Sequence, residues 1–229
     1  MKKIYAVKNG RNVGKFYTWD ECKKQVDGFS GAIYKSFTSE NEADTYLYGT
    51  SQDVIKHDES DDNIIVYVDG SYNPVTNECG YAVYITNIDI PKILCGRFPM
   101  TYNGRNVEGE LRATIEALKY LDHISHTNIL IFYDYEGIAK WANNEWSANK
   151  SYTKEYKSYI ENLRSNNWNI EFSHVYGHTG TIGNEIVDKI AKIACGIELN
   201  ESDRLFIEQY NSIDGYPHEC PQLSINNWY

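Results

Sequence analysis

Two short runs do most to limit what this chain of 229 residues can fold into: IIVYV at 64–68 and ILIFY at 129–133. Both are apolar throughout, and each is followed at once by an aspartate, Asp69 and Asp134. A strand with no polar alternation must be covered on both faces, which calls for a sheet with helices on either side. The spacing of the remaining apolar residues supplies those elements. Strands are expected at 81–86, 93–98 and 170–175. A helix carries Leu111, Ile115, Leu118 and Leu121, a short one lies around 138–141, and a longer one spans 153–164 with Tyr156, Ile160 and Leu163. A last helix at 185–194 aligns Ile186, Ile190 and Ile193. The order βββαβαβα predicts an α/β fold, a mixed five-stranded sheet flanked by helices.

In front of this unit lies a second, smaller one. Residues 4–7 and 13–16 alternate around Asn9-Gly10, a strong hairpin signal. Thr18-Trp19-Asp20-Glu21 is a capping box that opens a helix to about Val26, with Gly28 closing it. Residues 32–37 read as a third strand. Ser39-Glu40-Asn41-Glu42 opens a second helix, with Ala43, Tyr46 and Leu47 on its apolar side. The expectation is a three-stranded sheet with two helices in residues 1–47, near the lower size limit for independent folding. Residues 48–62 are polar and acidic and read as a mobile linker. Residues 63–196 form the larger unit. Residues 197–229 are an acidic extension with a helix at about 201–210, then a proline-containing stretch ending in Trp-Tyr.

The net charge of −10 argues at first against a nucleic-acid partner, because phosphate binding wants a basic surface. Its distribution says otherwise. Residues 1–47 carry +2, residues 48–62 carry −4, residues 63–196 carry −3 and residues 197–229 carry −5. The acidity is concentrated in the linker and the extension, and only the N-terminal unit has the sign of a phosphate binder. The five cysteines are scattered and form no CxxC pair, so neither a disulfide framework nor a zinc site is indicated. No run approaches the ~18 apolar residues of a membrane span, and the start MKKIYAVKNG lacks the apolar core of a secretory signal. A reducing cytoplasm is the expected location.

Ligands gather outside the carboxyl ends of parallel strands in open α/β sheets. Two neighbouring strands that end in Asp69 and Asp134 would therefore set two carboxylates a few ångströms apart, where they repel unless a cation intervenes. Oxygen-only ligands favour Mg²⁺ or Mn²⁺ over zinc. Glu110, at the start of a helix, and Asp188, in the last one, could complete such a cluster. From the residues alone a blander reading stays open: Asp-Gly is a turn signal, and surface helices carry acids anyway. His174 and His178 are four apart across a strand and a loop, which gives little support to zinc.

In order and spacing, VYVDGS, NVEGEL, FYDYEG and GHTGTIGNEIVDKIA resemble the four active-site segments of ribonuclease H, type 1, over about residues 63–196. The first 47 residues resemble the hybrid-binding (caulimovirus VI-like) domain often joined to that enzyme's N-terminus. By this resemblance Asp69, Glu110, Asp134 and Asp188 are metal ligands. His178, in Gly177-His178-Thr179-Gly180, is the mobile histidine that moves a proton or helps product leave. The resemblance implies an endoribonuclease that cuts the RNA strand of RNA/DNA hybrids with two Mg²⁺ ions, for which Mn²⁺ can substitute. One ion activates the attacking water, and the other, ~4 Å away, stabilises the departing 3′ oxygen. The products would carry 5′-phosphate and 3′-hydroxyl ends.

Such an enzyme must tell a 2′-hydroxyl strand from a deoxyribose strand. Asn106 matches a minor-groove contact of the family, and Ser71 and Asn184 are further candidates, although asparagine is also a favoured N-cap. Where many members carry a threonine that helps hold a DNA phosphate, this chain has Arg105, which could bind phosphate in a bidentate fashion. The lysine-rich protrusion of some relatives is replaced by WANNEWSANKSYT with a single lysine, Lys150. Binding would then fall to the N-terminal unit. There Trp19 and Tyr34 align with aromatic residues on the DNA strand, Tyr5 with a nearby aromatic, and Lys35 with a backbone-contacting lysine; Tyr5 and Tyr34 could equally be core residues. Lys35-Ser36 stands where relatives have two lysines. The implied partner is an RNA/DNA hybrid, with double-stranded RNA a further candidate for the N-terminal unit. No membrane partner is expected, and the oligomeric state is not readable. A catalytically silent hybrid- or double-stranded-RNA-binding protein is the main alternative, and an integrase-like or kinase-like relative of the same fold is another.

Overall fold

A computed structural model describes residues 3–12, 14–48, 63–175 and 181–216. The chain divides into two compact units. The linker residues 49–62, the GHTG segment with His178, and the stretch from 217 onward lie outside the described residues.

The small unit contains β1 (Ile4–Asn9), β2 (Gly14–Phe16), α1 (Trp19–Val26), β3 (Ile33–Phe37) and α2 (Glu40–Tyr48). Its sheet has the order β2-β1-β3, antiparallel throughout. The period-two alternation of β1 sends Val7 to one face, against Cys22 and Val26 of α1, and Ile4 and Ala6 to the other, against Ala43 and Leu47 of α2. One helix covers each face. The capping box at α1 forms as expected: the Thr18 hydroxyl accepts from the Glu21 N–H, and the Glu21 carboxylate accepts from the Thr18 N–H. The hairpin forms too, but Val7 pairs with Gly14, so the connection is longer than a two-residue turn at Asn9-Gly10. The loop is drawn instead to the end of α1, where the Arg11 N–H donates to the Gln25 carbonyl and its guanidinium to those of Lys24 and Asp27.

The large unit contains β4 (Ile64–Asn73), β5 (Glu78–Thr86), β6 (Lys92–Pro99), α3 (Asn106–His123), β7 (Asn128–Tyr133), α4 (Gly137–Ala142), α5 (Ser151–Ser165), β8 (Asn169–His174), α6 (Ile182–Ala194) and α7 (Glu201–Glu208). The five strands run β6-β5-β4-β7-β8, with β4, β7 and β8 mutually parallel and the β4–β5–β6 pairs antiparallel. This is the mixed, helix-flanked α/β sheet the patterning implies. Val66 and Val68 pack with Leu111, Ile115 and Leu118 of α3 and Tyr156 and Ile160 of α5 in one continuous core. The opposite face meets α6, where Gly183 and Ala191 approach Tyr67 and Gly80.

One expectation needs correction. The first long strand does not end at Asp69 but runs on to Asn73, with Asp69 paired opposite Ala82 of β5. What ends there is the parallel ladder to β7, whose last pair is Tyr67 with Phe132. β5 continues as a partner beyond that point, so β4 stays extended while its other side opens. The carboxyl end of the parallel pair is still where Asp69 and Asp134 emerge.

The first part of the extension is docked on this unit. Phe206 and Ile207 of α7 are buried, Asn200 caps the helix by accepting from the Asp203 N–H, and Asp214 pairs with Lys92 at the sheet edge. No helix of the described residues is long and apolar enough to cross a membrane.

Candidate active site

The site begins with two glycines. A Cβ on Gly70 would lie 2.2 Å from the Glu110 nitrogen, and one on Gly109 would lie 2.3 Å from the Gly80 carbonyl oxygen. Only with bare backbones can the first turns of α3 approach β4 and β5 this closely. That contact puts Glu110 beside Asp69. On the opposite face, a Cβ on Gly80 would collide with the Ala191 carbonyl at 2.3 Å, so α6 also comes in tightly and brings Asp188 to the same end of the sheet.

Carboxylate oxygens of Asp69, Glu110 and Asp134 then lie within 4.8 Å of one another. Asp69 is 6% exposed and Glu110 3%. Burial, followed by the charges of Asp134 and Asp188, pushes the Asp69 carboxyl well above its usual range, against the opposing pull of the Gly70 N–H and Lys192. Burial also raises Glu110, helped by Asp69 and Asp134 and opposed by a hydrogen bond from Asn106. That bond runs from Asn106 Nδ2 to Glu110 Oε1 at 3.0 Å, while Glu110 Oε2 is buried without a partner among the described residues. A buried acceptor left unpaired is costly, and oxygen donors converging at this distance suit a hard divalent cation. The residues present therefore fit a metal.

Asp188 lines the same cleft, of about 520 Å³, with Ser71, Arg105, Asn106 and Tyr135. It is not part of the tight trio. Lys192 Nζ sits 2.8 Å from both of its oxygens, and Lys189 Nζ is 3.6 Å from one. Ser71, Arg105 and Asn106 thus stand together at the cleft. Arg105 immediately precedes α3 with φ at +54°, a backbone state costly for a side-chain-bearing residue. Asn184 is not an N-cap: it lies inside α6, 4% exposed, with its Oδ1 unpaired among the described residues.

In the small unit, Trp19 at the start of α1 lies between Tyr5 and Tyr34, with ring centroids 5.5 and 5.8 Å away. Trp19 and Tyr34 are 42% and 43% exposed, so Tyr34 is not a core residue, while Tyr5 is partly buried. Lys35 is not brought to this trio. It pairs with Ala6 and therefore projects to the α2 face, 5.5 Å from the Phe37 ring.

Three contributors escaped the sequence reading. Glu108 is fully buried and accepts N–H donors from Thr101, Tyr102 and Gly104, which folds the loop leading into α3. A glutamate in a predicted first turn signals only a dipole partner; its burial depends on the loop closing over it. Lys189 and Lys192 look in the sequence like the solvated face of α6, yet both contact Asp188.

Residues 61–196 match the family model described as RNase H, and residues 3–47 match the one described as Ribonuclease H1 N-terminal domain. Ribonuclease H1 of Homo sapiens is 26% identical over 262 aligned positions, covering 82% of this chain and 88% of the human protein. Ribonuclease H of Trichodesmium erythraeum is 32% identical, covering 56% of this chain and 85% of the relative. Ribonuclease H of Saccharomyces cerevisiae is 56% identical over 44 residues, which take in 19% of this chain but only 13% of the yeast protein.

Proposed function

The chain belongs to the ribonuclease H family, and from that premise we propose that it is an endonuclease hydrolysing the RNA strand of RNA/DNA hybrids to 5′-phosphate and 3′-hydroxyl ends. The observation that carries this reading is the convergence of buried Asp69 and Glu110 with half-buried Asp134 in an open cleft, one Glu110 oxygen having no partner among the described residues. Divalent ions, two Mg²⁺ with Mn²⁺ able to substitute, would when bound supply an acidified water and stabilisation of the departing oxygen. The chain's own residues do the rest. Asp69, Glu110 and Asp134 would hold the ions, and Asp188 would add a fourth carboxylate from α6. Asn106 fixes the Glu110 carboxylate through its hydrogen bond. Ser71, Asn106 and Asn184 are the proposed contacts to sugar hydroxyls, and Arg105 to a phosphate. His178 is the proposed proton carrier, outside the described residues.

Residues 1–47 would hold the hybrid, residues 48–62 tether that unit, residues 63–196 cleave, and residues 197–229 form an extension. The exposed rings of Trp19 and Tyr34 beside Tyr5 give sugars and bases a surface to stack on. Lys35 would reach a phosphate from the other face, and double-stranded RNA is a second partner for this unit. The described cysteines, 22, 79, 95 and 195, are buried and in no disulfide with one another, and a reducing cytoplasm is the proposed place of action.

Product mapping on matched RNA/DNA, RNA/RNA and DNA/DNA duplexes, with Mg²⁺, Mn²⁺ or EDTA, tests the reading. Metal-dependent cuts confined to RNA paired with DNA are expected. Binding without cleavage in either metal would leave a silent hybrid-binding protein instead.

A further inference from the structure

The extension lies beyond the matched residues 61–196, yet it reaches the catalytic end of the sheet through one side chain. Lys189 directly follows Asp188, and its side chain is 6% exposed. Its ammonium lies 2.7 Å from Glu185 Oε2, 3.6 Å from Asp188 Oδ2 and 3.5 Å from Oδ1 of Asp203, which belongs to α7. The Phe206 ring of α7 covers it at 5.3 Å to the centroid. A buried ammonium needs its charge answered nearby. Here three carboxylates share it, and where it settles depends on their balance. Glu185 and Asp203 hold it, while Asp188 is already taken at 2.8 Å by Lys192.

We propose that α7 is a positioning element for the metal site: Asp203 and Phe206 hold the Lys189 ammonium near Glu185 and so leave Asp188 available to a divalent cation. The proposal rests on the metal-dependent reading above. Without Asp203, only Glu185 and Asp188 among the described residues remain to answer the charge. The ammonium then shifts toward Asp188, and an incoming cation must displace it as well as Lys192. Asp203 touches no substrate or reacting atom. It acts through Lys189, as partners outside a metal's own ligands act on the ligands themselves.

The test uses the full chain and four proteins: wild type, Asp203→Asn, Asp203→Glu and Asn200→Ala. The last removes the α7 cap and a hydrogen bond to Asp203 Oδ2, the carboxylate oxygen other than the Oδ1 that faces Lys189. Calorimetric titration of the metal-free proteins with Mg²⁺ and the Mg²⁺ dependence of hybrid cleavage are measured together with melting temperature. Asp203→Asn should weaken Mg²⁺ binding on the order of tenfold and raise the half-saturating Mg²⁺ for cleavage in step. Its kcat at saturating Mg²⁺ should be unchanged. Asp203→Glu should restore the wild-type affinity, and Asn200→Ala should melt lower with wild-type Mg²⁺ affinity. Unchanged Mg²⁺ affinity in Asp203→Asn would overturn the proposal, whether or not the protein melts lower. An equal loss of affinity in Asn200→Ala would overturn it too, leaving α7 as a scaffold. A wild type that binds Mg²⁺ but cuts no duplex would overturn the proposed activity instead, with the calorimetric comparison still deciding the role of Asp203. A wild type that takes up no Mg²⁺ would overturn both.

Discussion

In the small unit, Trp19 and Tyr34 leave more than two fifths of their surface in water, where aromatic rings gain nothing from the fold. In the large unit, Asp69 and Glu110 are buried, where carboxylates are penalised. Each unit thus breaks the ordinary partition of side chains, in opposite directions. The small unit can do so because its core is small: among the described residues, three buried side chains gather with α1 on one face of the sheet and four with α2 on the other. The large unit can do so because a much larger core under α3 and α5, with α6 packed tightly on the other face of the sheet, holds the carboxylates against their own repulsion. Exposed rings suit a partner that stacks, and buried like charges suit a cation. The two departures predict different losses when removed.

The largest expected effect comes from Asp134→Asn. Removing one of three converging carboxylates should reduce cleavage by more than the ~100-fold lost when mere outer partners of a metal are changed, while hybrid affinity in a gel shift stays near wild type. Retained cleavage would break the assignment of catalysis to the converging carboxylates. Trp19→Ala should do the reverse. With stacking worth ~1–3 kcal/mol per base, hybrid affinity should fall about 5- to 150-fold, and cleavage at saturating substrate should be kept. Equal affinity would mean that the exposed rings serve something other than the hybrid.

How well the two halves could be read beforehand follows the same division. The small unit is built from signals local in sequence, such as the Thr18–Glu21 capping box and the alternation of β1, and these were legible. The length of its hairpin loop was not, because Arg11 bonds to carbonyls at the end of α1, more than ten residues further along the chain. In the large unit the apolar strands and their trailing aspartates announced the sheet. The continuation of β4 past Asp69 did not show, since it depends on β5 remaining a partner. Nor did the burial of Glu108, which depends on the 101–104 loop closing over it, or the contacts of Lys189 with α7, an element further along the chain. Asn184 was open between cap and contact until the helix began two residues before it.

Gly109→Ala probes how the carboxylates are brought together. The new methyl would sit 2.3 Å from the Gly80 carbonyl oxygen, backbone that cannot swing aside. Overpacking of this kind costs ~1–3 kcal/mol, so the melting temperature should fall by several degrees. Cleavage should fall further than stability accounts for, because α3 carries Glu110 away from Asp69. Hybrid binding through the small unit should persist. A variant with lowered melting but intact kcat would show that the Gly70–Gly109 contact serves stability alone.

The smallest effect has the most telling sign. Because burial and neighbouring charge raise Asp69 and Glu110 in the folded protein, the unfolded chain ionises them at lower pH than the folded one. The stability they contribute is complete below the ordinary carboxylate range near pH 4 and is lost as pH rises through their raised folded values. In EDTA at neutral pH, Glu110→Gln removes a buried carboxyl whose ionisation the fold penalises beside Asp69 and should therefore melt higher than wild type, by about 2–4 °C for each kcal/mol relieved. The gap should close as the pH is lowered toward 4. Adding Mg²⁺ should reverse the order, since a cation stabilises the protein with the full set of carboxylates more than the one with a neutral amide. A Gln variant that melts lower than wild type in EDTA at neutral pH would mean that Glu110 is held by favourable contacts, and that the large unit carries no strain for a metal to relieve.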